Sequence, residues 1–197
     1  MPKTLALFDF DGTITKNDSL LKFIRFAVGD IKFIHGLIAL SPTLIAFKLK
    51  LMPNYEAKER MLSWFFKEFS ENDFIRTANE YSLNHIDKIL RPEAIKRLEW
   101  HKNQGHKIVV VSASLETWLK PWCDKNKLEL IATKMLIDNG KVTGTLASNN
   151  CHGQEKVNRI KAEYDITSFD YIYAYGDSSG DKEMLELAHE KAYKPFR

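Results

Sequence analysis

The sequence predicts an α/β fold: an open parallel sheet covered by helices, with an all-helical segment inserted after the first strand. Three observations predict it. The charge-free run Leu5-Ala6-Leu7-Phe8 ends in an acidic turn, Asp9-Phe10-Asp11-Gly12-Thr13. From Ser19 to about Leu90 the apolar residues keep helical spacing without a convincing strand. Beyond Leu90, strand-like and helix-like segments alternate, as they do in βαβ units. The chain has 197 residues and is 44% hydrophobic, enough for a real core and for one large domain or a domain with an insert. The expected division is a core of residues 1–18 and 89–197 and a helical cap over residues 19–88.

Each element has a local reason. Residues 4–8 read as a fully buried strand. Asp18 or Ser19 caps a helix carrying Leu20, Leu21, Ile24 and Val28. Met61, Leu62, Phe65, Phe66 and Phe69 make a broad apolar face over 56–69. Phe74, Ala78, Tyr81, Leu83 and Ile86 make another over 73–90. Pro92 suits the first turn of a helix that points Ile95 and Leu98 inward, and Gly105 suits its C-terminal cap. Lys107 to Val111 has the composition of a parallel-sheet strand and leads into Ser112-Ala113-Ser114. A helix over 115–126, despite Pro121, precedes a short strand from Leu128 to Ala132. Asp138-Asn139-Gly140 signals a hairpin between Met135–Ile137 and Val142–Ala147. A helix from Gly153 to Tyr164, a strand from Tyr171 to Tyr175 ending in Gly176-Asp177, and a helix over 181–189 complete the layout.

Composition excludes several classes. Twenty-nine basic against 26 acidic residues leave a net charge of +3, and no basic tract is interleaved with aromatics, so no nucleic-acid partner is expected. Cys123 and Cys151 are far apart and lack metal-ligand spacing, which fits a reducing, cytoplasmic compartment. The N-terminus does not read as a signal peptide. The stretch Gly36 to Phe47 carries no charge. As a helix it would reach roughly 18 Å, short of the ~30 Å hydrocarbon core, and Pro42 would split it. It is no transmembrane span. It is either a buried helical pair or a surface that meets a lipid substrate or the membrane periphery.

Crossovers in a parallel sheet are right-handed and bring the strand ends to one edge, where ligands bind. Asp9 with Asp11, Ser112, and Asp177 with Asp181 fall there. Asp9, Asp11 and Asp177 are hard oxygen donors of the kind Mg²⁺ prefers. Lys156 sits in the first turn of a helix, where the dipole offers it nothing and an anion would explain it. Ser112 can donate its hydroxyl to the same anion. A divalent ion, a lysine and hydrogen-bond donors around an aspartate are the requirements of phosphoryl transfer.

These segments resemble the four motifs of the haloacid dehalogenase superfamily, in order: Asp9-Phe10-Asp11-Gly12-Thr13, Val109-Val110-Val111-Ser112, Lys156 within Gly153-Gln154-Glu155-Lys156, and Gly176-Asp177-Ser178-Ser179-Gly180-Asp181. With the helical insert between the first two, the chain is similar to the C1-capped branch that contains phosphoserine phosphatases. The resemblance implies a Rossmann-like core and a Mg²⁺-dependent phosphomonoester hydrolase. It implies that Asp9 attacks phosphorus, Asp11 protonates the leaving alcohol and activates water, and Asp9, the Asp11 carbonyl and Asp177 bind the metal. Ser112 and Lys156 would then hold the phosphate, Asp181 would orient Lys156 or a water on the metal, and Gly12, Thr13 and Ala113 would line the substrate site.

Phosphoserine phosphatases carry a glutamate nine residues after the nucleophile; here the position is Asp18. Their cap supplies an arginine for the substrate carboxylate, for which Arg25 and Arg60 are the candidates. The apolar 36–47 stretch lies in the cap, and Cys151-His152-Gly153-Gln154-Glu155-Lys156-Val157 with the ending Tyr193-Lys194-Pro195-Phe196-Arg197 loosely resembles bacterial phosphatidylglycerophosphate phosphatases. The expected partner is therefore a small-molecule or lipid phosphate monoester, with peripheral membrane contact through the cap. The alternatives are a phosphoserine phosphatase, a phosphotransferase and, from another class, an inactive phosphate-binding regulatory protein.

Overall fold

Residues 3–197 are described by a computed structural model. Strand β1 (Thr4–Phe8) is buried along its whole length. It runs into a tight turn, Phe10–Ile14, whose Asp11 and Gly12 leave helical geometry. Four helices follow: α1 (Ser19–Ala39), α2 (Ser41–Lys48), α3 (Asn54–Phe66) and α4 (Glu71–His85). Asp18 caps α1 by accepting from the Leu21 N–H, and Ser70 caps α4 by accepting from the Asp73 N–H. Gly29 breaks α1 into two segments. Pro42 falls in the first turn of α2, so it starts a helix rather than kinking one.

The chain then passes through α5 (Pro92–Asn103), β2 (Lys107–Leu115), α6 (Glu116–Lys125), β3 (Glu129–Thr133), β4 (Met135–Asp138), β5 (Lys141–Leu146), α7 (Gln154–Glu163), β6 (Tyr171–Gly176), α8 (Lys182–Leu185) and β7 (Glu190–Tyr193). Five strands form one parallel sheet in the order β3-β2-β1-β6-β7, and β4 and β5 form a separate antiparallel hairpin. This is the expected fold: a parallel core sheet, flanking helices and a helical cap. Two details differ. The helix expected over 181–189 ends at Leu185, and the chain goes on to an additional edge strand, β7.

Alternation along the strands explains the two faces of the sheet. Ala6, Phe8 and Val110 enter the larger core, together with Phe23, Phe66, Phe74 and Tyr81 from the cap helices. Leu5, Leu7, Val109 and Val111 enter the smaller one with Ile160, Ile172 and Met184. Phe23 of α1 stacks on Trp118 of α6 at 4.7 Å, so an aromatic cluster joins the cap helices to the helices of the sheet. The uncharged 36–47 stretch divides its side chains: Gly36 is buried against Phe65, whereas Ile38 and Ile45 are 67% and 58% exposed. It is therefore not simply a buried pair.

The β4–β5 hairpin lies against the cap. Val142 exchanges backbone hydrogen bonds with Glu68 and Phe69, and the Glu71 N–H donates to the Gly140 carbonyl. Gly144 (φ +83°) faces Ser63 so closely that a Cβ would lie 2.3 Å from the Ser63 Cα. Only glycine allows both the backbone angle and that approach.

On the other side, His101 is fully buried and its two ring nitrogens meet the Tyr175 hydroxyl (2.9 Å) and His106 Nδ1 (2.7 Å). Burial pushes its pKa down to about 3, with His106 and Arg97 adding to the shift. The folded state thus keeps His101 neutral while the unfolded chain protonates it near the ordinary 6.5. Stability from this site is complete above pH 6.5 and is lost as pH falls towards 3, with a slope of about 1.4 kcal/mol per pH unit at most. His101→Gln should weaken the protein at pH 7 yet flatten that acid loss. Urea midpoints at pH 7 and 4.5 test this; equal acid losses in the two proteins would exclude it.

Candidate active site

Asp9, Ser112 and Asp177 meet because β1 is the central strand and β2 and β6 flank it in parallel. The Asp9 N–H donates to the Tyr175 carbonyl at 2.9 Å, which ties the end of β1 to β6. Gly12 adopts φ +84°, and a Cβ there would lie 2.5 Å from Asp177 Oδ2. The turn after β1 can approach Asp177 only with glycine at this position.

Lys156 is the hub. It is 1% exposed, and its ammonium donates to Asp9 Oδ1 (2.6 Å), Asp181 Oδ1 (2.7 Å) and the Val111 carbonyl (2.8 Å). Desolvation pulls its pKa down, but Asp9 and Asp181 outweigh it and the net shift is upward. Asp9 also accepts from the Thr13 hydroxyl at 3.0 Å. Burial pushes Asp9 up to about 6 against the pull of Lys156. Asp181 accepts from the Asp177 N–H, the Ser178 N–H and the Ser178 hydroxyl, which fixes the loop after β6. Desolvation opposes ionisation of Asp181, yet Lys156 holds its pKa below the usual carboxylate value.

Asp11 points elsewhere. Its carboxylate accepts from the Ser19 N–H (2.7 Å) and the Ser114 hydroxyl. Burial first, and the charge of Asp18 second, push its pKa up to about 7. The carboxylates that converge are Asp9, Asp177 and Asp181, each offering an oxygen within 4.8 Å of the others. Two of the expected ligands, Asp9 and Asp177, stand in this cluster. The Asp11 side chain does not join the cluster, which leaves only its main-chain carbonyl for that role, and Asp181 stands in the carboxylate group itself. Three hard anionic oxygens suit a divalent cation. Burial and the repulsion of Asp181 raise Asp177 despite its contact with Arg197, a strain that a cation would relieve.

These groups open into a cavity of about 330 Å³. Its polar end holds Asp9, Asp11, Ser112, Ala113, Lys156 and Asp181, and its other wall is apolar, with Leu20, Leu37, Leu44, Phe47 and Met61 from the cap helices. Ser112 is buried and its hydroxyl accepts from the Ser114 N–H at 3.0 Å, which leaves its own proton free to donate. Asp18 lines the cavity while capping α1. Gly12 and Thr13 shape the turn and support Asp9 and do not line the cavity.

Arg25 and Arg60 do not reach the site. Arg25 pairs with Asp30 and Arg60 with Glu56, both on the exposed surface. The basic residue of the cap that does reach it is Lys58, which donates to the Ala113 carbonyl (2.7 Å) and to Asn150 Oδ1 (2.6 Å). Desolvation lowers its pKa to about 8 against the opposite pull of Asp11 and Asp18. One signal was available: Lys58 sits between Ala57 and Met61-Leu62, on the buried side of an amphipathic helix where a lysine is out of place. His152 also lines the cavity.

This chain belongs to the haloacid dehalogenase-like hydrolase family, which it matches over residues 6–186. Protein CicA of Caulobacter vibrioides is 32% identical over 98% of this chain and 86% of its own length. A probable phosphatase of Mycobacterium tuberculosis is 29% identical, covering 99% of this chain and 70% of the relative. Among solved structures, a Bordetella pertussis Tohama I protein of unknown function superimposes with a TM-score of 0.84 at 22% identity, over 97% of this chain and 89% of that one. A substrate-bound phosphoserine phosphatase superimposes with a TM-score of 0.71 at 18% identity, over 98% and 86%. The fold is thus shared with phosphoserine phosphatases at a distant level of sequence. Among the described residues, no helix is long and apolar enough to cross a membrane.

Proposed function

We propose that this chain is a Mg²⁺-dependent phosphomonoesterase working through an aspartyl-phosphate, with residues 1–18 and 89–197 as its catalytic core and 19–88 as its cap. The observation that carries this reading is the Asp9–Lys156–Asp181 ion cluster in a cavity that also has an apolar wall, with Asp11 close by and engaged separately. Asp9 attacks phosphorus, an Asp9–phosphorus bond forms, and the bond to the ester oxygen breaks. Asp11 gives its proton to that oxygen, then takes one from the water that attacks the phosphoenzyme and releases phosphate and the Asp9 carboxylate. A pKa near 7 for Asp11 suits both duties. Lys156 and the Ser112 hydroxyl hold the phosphate oxygens, and Asp181 holds Lys156. A cation bound by Asp9, Asp177 and the Asp11 carbonyl, with Asp181 beside it, would reduce the repulsion between nucleophile and phosphate.

The cavity's apolar wall supports a phosphate ester with an apolar portion. The surface pairing of Arg25 and Arg60 weighs against free phosphoserine. A regulatory protein that only binds phosphate would have no use for an acid–base group such as Asp11, which favours the enzyme.

Chelator-treated protein should release no phosphate from a short-chain lipid phosphate, and Mg²⁺ should restore release. The ratio of kcat/KM for that ester over phosphoserine should be at least about tenfold, the worth of two buried methylenes at about 0.8 kcal/mol each. Full activity without metal would overturn the cofactor, and a preference for phosphoserine would overturn the substrate.

A further inference from the structure

The segment Ile31–Tyr55 combines two properties that rarely occur together by chance on a globular surface. Ile31, Ile34, Ile38, Ile45, Leu49 and Leu51 are between 54% and 78% exposed. The same 25 residues contain Lys32, Lys48 and Lys50, all exposed, and no aspartate or glutamate. Ile31, Ile34 and Ile38 are spaced i, i+3, i+7 on the second segment of α1, so they share one face of that helix. Only Leu40 separates α1 from α2, which brings Ile45 next, and Leu49 and Leu51 follow at the end of α2. Isolated exposed apolar side chains are ordinary, but a continuous set marks a contact surface.

We propose that the second segment of α1, α2 and the turn over residues 49–53 dock on an anionic lipid bilayer. Charge complementarity selects this occupant. Apolar side chains rimmed by lysines, with no acidic residue among them, match a negatively charged headgroup layer over an acyl interior. A second copy of this chain would bring the same lysines face to face, and the carboxylates that flank the segment, Asp30 and Glu56, are already paired with Arg25 and Arg60. The surface adjoins the cavity directly. Leu37 and Leu44 turn into the cavity, whereas Ile38 and Ile45, each one residue further on, turn outward. One pair of short helices thus carries both the lipid-facing side chains and the apolar wall of the cavity. On the lipid-phosphate reading above, an ester leaving the bilayer beside these helices would have a short path to Asp9. The docking itself does not depend on that reading.

The test is sedimentation of the full chain with vesicles, in chelator and without any phosphate ester, so that catalysis plays no part. Vesicles of phosphatidylglycerol and phosphatidylcholine should carry the protein down, and pure phosphatidylcholine should carry much less. Lys48→Ala and Lys50→Ala should each lower the partition coefficient about fivefold. The double variant Ile31→Glu/Leu51→Glu should abolish binding, and thermal melts matching the wild type would show that this variant is folded. All four side chains lie outside the cavity lining. Failure to bind anionic vesicles at low salt would overturn the inference. So would equal binding to neutral vesicles, or self-association broken by Ile31→Glu/Leu51→Glu without any vesicle binding. Hydrolysis of a soluble ester by a protein that ignores vesicles would defeat the docking surface and leave the proposed chemistry intact.

Discussion

Asp9→Asn should cut phosphate release by about 10⁴-fold or more and leave the protein folded. Losing a covalent nucleophile removes the whole two-step route, and what remains is the residual effect of binding and electrostatics. The fold survives because asparagine keeps the shape of the side chain, an oxygen for the Thr13 hydroxyl, and Asp181 as the partner of Lys156. Acid quenching with a radiolabelled ester should trap label on the wild type and none on the variant. Label at another residue, or turnover of Asp9→Asn within tenfold of the wild type, would remove Asp9 from the role of nucleophile.

Lys156→Met has the largest expected effect on stability. In the folded protein the ammonium is the common partner of two carboxylates that are 7% and 1% exposed. Methionine fills a similar volume but leaves Asp9 and Asp181 buried without their cation. Breaking a buried pair in this way costs about 3–5 kcal/mol, a large share of the stability of an ordinary domain. Adding Asp181→Asn to the Met variant should recover part of the loss, because one of the stranded charges is then gone. Urea unfolding at neutral pH measures both. A single variant within about 0.5 kcal/mol of the wild type would show that Lys156 does not hold the cluster together.

Local chemistry accounts for what could be read from the sequence. Leu5–Phe8 and Lys107–Val111 announce buried parallel strands because both of their faces are apolar. The Asp9 and Gly176-Asp177 turns stand out because carboxylates at strand ends need a reason. The cap was legible from helical spacing, and the start of α1 from Asp18 or Ser19, of which Asp18 makes the capping bond. β7 was not legible. Glu190-Lys191-Ala192-Tyr193 is a short, mostly exposed edge strand, and edge strands take charged residues that hide the strand pattern. Arg25 and Arg60 look suited to an anion in the sequence, but in the fold they pair on the surface with Asp30 and Glu56, five and four residues away. The direction of the Asp11 side chain follows from Ser19 and Ser114, and Ser114 is brought to it only by folding.

The β4–β5 hairpin bears on how substrate can enter. Its backbone is laced to the α3–α4 junction through Val142 and Gly140, and Gly144 is pressed against Ser63. At the other boundary, the Lys16 N–H donates to the Ile89 carbonyl (2.7 Å) and the Arg91 N–H to the Ile14 carbonyl (2.8 Å), so the two chain crossings into the helical segment are stitched as a miniature ribbon. Lifting the helices off the strand ends therefore cannot be a free swing on two slack tethers. The hairpin would have to travel with them as ballast, and the contacts to be broken include Lys58 on Ala113 and Asn150, the Trp122 N–H on the Ser82 hydroxyl and the Phe23–Trp118 stack.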